Sequence, residues 1–121
     1  MAKTVAYYLS KGFDQAAAEY YAAGRRKIVS VEPNGDFTLT IGFDNGERRV
    51  LDMKPVMAAG TVFEPFMKLE NFRRVYLDRQ HCVSWDIDPS VDSEKVWSNK
   101  VDLCPDSCYI DSIPVRGVDN V

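Results

Sequence analysis

Apolar and polar positions alternate most regularly between residues 27 and 53. Phe37, Leu39, Ile41 and Phe43 alternate with Thr38, Thr40 and Gly42, the period of two that marks a half-buried strand. Ile28, Val29 and Val31 precede this run, and Val50 to Met53 follow it. Pro33-Asn34-Gly35-Asp36 is a turn cluster. Asp44-Asn45-Gly46 is a hairpin turn, because Asn-Gly supplies the positive φ values that tight turns need. The pattern predicts a three-stranded antiparallel meander. Residues 73–87 predict a second hairpin. Val75, Tyr76 and Leu77 form one strand, Asp78-Arg79-Gln80 the turn, and Cys82, Val83, Trp85 and Ile87 the other strand.

Elsewhere the period changes. Phe13, Ala16, Ala17, Tyr20, Tyr21 and Gly24 recur at three- and four-residue spacing and predict a helix over residues 11–24. Gly24 suits its C-terminal cap, and Arg25-Arg26-Lys27 complement the negative helix end. Pro55 ends the meander. Val56 to Gly60 read as a helical turn, and Val62 to Met67 as a short helix with Pro65 in its first turn. Met57, Phe63, Phe66, Met67, Leu69 and Phe72 are large apolar groups of the kind that dominate cores. Residues 88–95 are polar and turn-rich, hence a loop. Pro105 suits the first position of a short helix to about Tyr109, with Asp106 at its favourable end. From Ile110 onward the chain reads as loosely held.

These elements predict an α+β fold. An antiparallel sheet is built from the meander and the second hairpin, with short helices and an N-terminal add-on helix. Residues 1–25 form the helical extension, 26–115 a single α+β domain and 116–121 a loose tail.

Composition narrows the class. With 121 residues, 45% apolar and 27% charged, the chain suits one folded domain with a core of its own. A net charge of −3 lacks the basic excess that nucleic-acid binding favours and suits a basic protein partner. No apolar stretch reaches the roughly 20 residues that a membrane helix needs, and the N-terminus is too weakly apolar for a secretory signal. Three cysteines are an odd number at low density, which points to reduced thiols and a cytoplasmic protein.

Candidate chemistry gathers near the C-terminus. His81, Cys82, Cys104 and Cys108 are zinc-competent. Yet adjacent residues on a strand point to opposite faces, so His81 and Cys82 do not share one ion, and no CxxC pair is present. The expectation is no metal and three small buried cysteines. A spatial pairing of His81 with Cys104 or Cys108 is left open. Asp86, Asp88, Asp92, Asp102, Asp106 and Asp111 fit turn and cap chemistry. The glycines show no phosphate-cradling spacing. No cofactor and no catalytic residue is expected.

One segment carries a family pattern: Trp97, Asn99, Asp102-Leu103, Pro105-Asp106 and Tyr109. Upstream stand Ile28-Val29-Ser30-Val31-Glu32-Pro33, Phe37 to Ile41, Asp44-Asn45-Gly46-Glu47, Asp52-Met53-Lys54-Pro55, Gly60-Thr61-Val62-Phe63 and Phe72. In this order, over residues 26–110, the chain resembles the bacterial "domain of unknown function 2442" family. The resemblance implies a small α+β domain with an antiparallel sheet and no established catalytic residues. Some members resemble antitoxin components of toxin–antitoxin pairs, and others carry a helix-turn-helix after the domain. This chain departs from the pattern in its extra residues 1–25, a longer loop before Trp97, no helix-turn-helix, and Lys100 where the pattern has glycine.

The expected function is therefore a non-enzymatic cytoplasmic protein-interaction module, the antitoxin part of a two-protein system. A nearby-encoded basic toxin is its expected partner, and its sheet edges are open to a partner strand or a second copy. The alternative is a small-ligand-binding domain or enzyme with a pocket near Trp97 and Asp102; regulation of DNA through a dimer is a minor third. In the family segment, Trp97 and Tyr109 are expected to anchor, Asp102 and Asp106 to cap, Pro105 to start a helix, and Asn99 to complete the pattern.

Overall fold

The computed structural model describes residues 3–115. The predicted helix over 11–24 is present as α2 (Gln15–Ala23), shorter at its start, and an unforeseen helix, α1 (Val5–Ser10), precedes it. Gly12, at φ 96°, ends the first, and Asp14 caps the second by accepting from the Ala17 N–H at 2.8 Å. Phe13 lies between them, and its ring packs on Tyr21 with centroids 5.3 Å apart. Thr4 caps α1. The cap residues Thr4 and Asp14 mark the two helix starts in the sequence; the apolar stripe from Phe13 onward covers only the second. Gly24 closes α2 as expected, at φ 105°.

The meander forms as predicted from β1 (Ile28–Pro33), β2 (Thr38–Phe43) and β3 (Arg48–Asp52), all antiparallel. Gly46 turns at φ 88°. Phe37 departs from the alternation: at φ 63° it precedes β2 and lays its ring against Phe72 at 5.2 Å. Gly42 stands opposite Ser30, where a Cβ would collide with the Ser30 hydroxyl as it is placed and would require that exposed side chain to rotate.

Two short 3-10 turns follow, Lys54–Val56 and Glu64–Met67, then α3 (Leu69–Phe72). The expected turn over Val56–Gly60 begins earlier, with Pro55 inside its first turn. The second hairpin is present as β4 (Tyr76–Leu77) and β5 (Val83–Asp86). Beyond it are β6 (Lys100–Leu103), α4 (Pro105–Ile110) and β7 (Ile113–Pro114). The single expected sheet is therefore two: β1-β2-β3-β7, and β4-β5-β6. β6 and β7 were not foreseen. One has four residues behind a polar loop and the other only two, too few for a period to show. The expected looseness from Ile110 is also corrected, since Ile110 closes α4 and Ile113 pairs with Val50. Residues 116–121, the expected tail, lie outside the described residues.

The two sheets share one core. Ile28, Leu39, Ile41, Phe43, Leu51 and Met53 come from the first sheet and its exit, and Val83, Trp85 and Val101 from the second. Phe66, Phe72 and Cys108 fill the space between. Trp85 is fully buried, and its indole N–H donates to the Phe72 carbonyl at 2.9 Å, so the large ring leaves no orphaned donor. Of the apolar cluster expected in the core, Met67 stays exposed. Among the described residues no helix is long and apolar enough to cross a membrane.

Candidate interaction surface

The family segment divides into two halves of opposite character. The first half is the end of the loop that joins β5 to β6. Its organiser is Asn99, which is buried. The Asn99 amide nitrogen donates to the carbonyls of Asp88 at 3.0 Å and Val91 at 3.2 Å, and reaches the Ser93 hydroxyl at 3.0 Å. Its oxygen accepts from the Asp88 N–H at 2.9 Å. Asp86 adds a second fastening, accepting from the Ser93 and Tyr76 hydroxyls. The Lys95 and Val96 N–H groups both reach the Asp92 carbonyl, and the Asn99 N–H reaches that of Val96. A polar segment that composition alone would call a loop is thus tied down at both ends.

This frame holds Trp97 out into solvent. Trp97 begins a 3-10 turn, Trp97–Asn99, and is 81% exposed. The expectation that it anchors the sheet is wrong: the buried indole of this protein is Trp85. Its chain neighbour Val96 is also exposed, as is Ile87. Ile87 is the residue after β5, and its N–H bonds the Asn99 carbonyl at 2.7 Å. Ile87 and the exposed Val62 line one shallow groove with Pro65. The structure thus presents one large aromatic, Trp97, on a hydrogen-bonded backbone in solvent.

The second half turns inward. Pro105 opens α4 as predicted. Asp106, in the first helical turn, is buried and does not serve as a helix cap. Its carboxylate accepts from the Tyr20 hydroxyl at 2.5 Å and from Tyr21 at 3.4 Å, and pairs with Arg25 at 2.7 Å. Burial by itself would raise the Asp106 pKa, but the Arg25 guanidinium and the Tyr20 hydroxyl outweigh it and hold the group below the usual carboxylate range. Burial and the same contact push the Tyr20 phenol up. Arg25 was expected to complement the end of α2; it reaches α4 instead. Tyr109 does anchor: its ring lies 5.0 Å from Phe43 and 4.9 Å from Tyr20, the Arg49 guanidinium sits over it at 4.1 Å, and its hydroxyl donates to Glu47.

Asp102 belongs to neither half. It lies within β6 opposite Ser84 and is exposed, so it is a strand residue and not a cap. Lys100 donates to Asp78 at 2.7 Å. Asp78 also accepts from the Gln80 and Cys82 N–H groups, both at 2.9 Å, and locks the β4–β5 turn. Burial opposes the charge on Asp78, but Lys100 and the Cys82 and Gln80 N–H groups together outweigh it, so its pKa is lowered.

Neither Trp97 nor Asp102 lines either of two cavities in the fold. One, of about 240 Å³, lies between α2 and α4 and includes Tyr20, Arg49 and Tyr109. The other, of about 310 Å³, is floored by Leu51, Met53, Phe63, Leu103 and Cys108.

The zinc-competent set is not brought together. Among the described residues, the group whose ligand atoms lie within 4.8 Å of one another is Asp78, Cys82 and Asp102, without His81, Cys104 or Cys108. Asp78 already has Lys100 as its counter-charge, so the arrangement reads as a turn lock. His81 sits in the turn at φ 63°, its Nδ1 3.1 Å from the Ile28 carbonyl. The cysteines, expected to be buried alike, differ: Cys108 is buried, Cys82 half-buried and Cys104 exposed.

With this geometry in view, the pattern that links Ile28 to Ile110 decides the family. The model of "Protein of unknown function (DUF2442)" matches residues 28–110, more than half of the chain. The chain belongs to the DUF2442 family. The match begins at β1 and ends with α4, so the helical pair α1–α2 lies outside it. The Asp106 contacts therefore tie a segment outside the DUF2442 match to a residue inside it. No curated protein and no solved structure matches the chain.

Proposed function

We propose that this DUF2442 protein is a non-catalytic, cytoplasmic protein-interaction module that grips its partner through the Trp97 face. The observation that carries the reading is an indole 81% exposed on a backbone that Asn99 and Asp86 fix from behind. Exposing so large an apolar group is costly in water unless a partner covers it. Fixing it beforehand lowers the ordering cost of binding. The partner is a small basic protein. Around Trp97 the segment carries Asp88, Asp92, Glu94 and Asp102 against Lys95 and Lys100, and opposite charge steers encounter. The resemblance to antitoxin components makes a toxin encoded beside this gene the partner to test first.

The experiment is co-expression of the chain with its neighbouring gene product, followed by co-purification and titration of the two proteins. A complex whose affinity falls with salt and is lost in Trp97→Ala supports the proposal. No co-purification and no rescue of growth, or a complex indifferent to Trp97, overturns it.

A further inference from the structure

In the β5–β6 ladder, Val83 pairs with Leu103 and Ser84 with Asp102, the last rungs before Cys82 on one side and Cys104, the extended N-cap of α4, on the other. Continued by one step, this antiparallel register sets Cys82 opposite Cys104. Side chains alternate along a strand. Val83, Trp85 and Val101 fill the core, and Cys82 and Cys104 therefore project on the other face, with Ser84 and Asp102. The Cys82 thiol does lie on that face, its sulfur within 4.8 Å of a carboxylate oxygen of Asp102. Opposed residues of an antiparallel pair have Cα atoms about 4.5–5.5 Å apart, inside the range of about 4.4–6.8 Å that a disulfide spans.

Accessibility selects the same pair. Cys104 is exposed and Cys82 half-buried, whereas Cys108 is buried and its thiol is pushed up to about 12 by burial; burial and the Asp78 and Asp102 carboxylates raise Cys82 as well, which leaves the exposed Cys104 as the first thiol to meet an oxidant. A buried thiol of that kind supplies little of the thiolate that attacks an oxidant.

We propose that Cys82 and Cys104 are a reversible oxidation site, forming a cross-strand disulfide when the protein meets a hydroperoxide. The exposed Cys104 thiolate attacks the peroxide. An S–O bond forms, the O–O bond breaks, and the released alkoxide or hydroxide takes a proton to leave as alcohol or water. The Cys104 sulfenic acid is then attacked by the Cys82 thiolate across the ladder. The S–S bond forms, the S–O bond breaks, and hydroxide leaves with a proton as water. Two thiols are oxidised by two electrons and one hydroperoxide is reduced. The closed loop spans residues 82–104 and so contains the whole Trp97 frame. A thiol such as reduced glutathione restores the dithiol by exchange.

The test treats the purified full chain with hydrogen peroxide, followed by thiol counting under denaturing conditions and by digestion with trypsin and an aspartate-directed protease, which together cut between all three cysteines. The expected result is a fall from the three thiols of the sequence to one, a mass loss of two hydrogen atoms, and a peptide linked through Cys82 and Cys104. Reduction restores all three thiols, and Cys108→Ser forms the same link. A Cys104–Cys108 bridge, a disulfide-linked dimer, or oxygen added to Cys104 without any bridge overturns the proposal.

Discussion

Trp97 and Asp106 stand nine residues apart in one segment, and the structure gives them opposite fates. The indole, the more apolar group, is in water; the carboxylate, the more polar one, is buried. Each is stabilised by what surrounds it. Asp106 is neutralised by Arg25 and satisfied by two tyrosine hydroxyls, so its burial leaves no unpaired charge. Trp97 has a rigid backbone and no such closure. The comparison separates two meanings of a family residue. One side chain completes the fold, and the other is what the fold presents.

The largest expected effect lies on the exposed side. Trp97→Ala should cost at least about 2 kcal/mol of partner binding, as truncation of a central aromatic does, while the melting temperature stays unchanged. Calorimetric titration and thermal melts read the two arms separately, and an equal loss in both would erase the contrast. Asp106→Ala should behave in the opposite way. It leaves the buried Tyr20 O–H without an acceptor, although the hydroxyl oxygen still accepts from the Arg26 N–H, at a cost of about 1–3 kcal/mol of stability, and partner affinity should change little once the chain is folded. Urea melts supply the first number.

Asn99→Ala probes the frame between them. Loss of its amide should free the loop over Asp88–Ser93 and cost about 1–2 kcal/mol, with a smaller loss of partner affinity because Trp97 is no longer held in place. Hydrogen exchange of the Asp88 and Asn99 amides should rise together.

The smallest effect is a pH dependence. The folded pKa of Asp106 is depressed, so its contribution to stability is full above the unfolded value of about 3.9 and is lost as pH falls through the folded value. Near-ultraviolet dichroism, sensitive to the stacked rings of Tyr20 and Tyr109, should show an acid step below about pH 4. Asp106→Asn should abolish it. A step that survives this substitution would assign it to another carboxylate.

Much of the architecture was legible before folding. The alternation of Leu39, Ile41 and Phe43, the Asn45-Gly46 turn and Pro105 at a helix start are local rules, each settled by residues within a few positions, and the structure keeps them. The errors share a cause. Phe37 obeys the alternation and yet turns at φ 63°, because the turn from Asn34 and its contact with Phe72 decide its backbone. β6 and β7 are strands because β5 and β3 offer them ladders, which no short window records. Trp97 was read as an anchor of the family segment, but the core holds Trp85 and Trp97 stands in solvent.

The family segment shows the same division most sharply. The sequence by itself determined membership in DUF2442, the antiparallel meander and the chemical kinds of side chain available between Trp97 and Tyr109. Only the tertiary structure decided which of them face water. That depends on Arg25 and Tyr20 reaching Asp106 from some eighty positions away, and on Asn99 gathering the loop beneath Trp97. Burial and charge pairing are properties of neighbours in space, and a local pattern carries no record of which distant residue will become the neighbour.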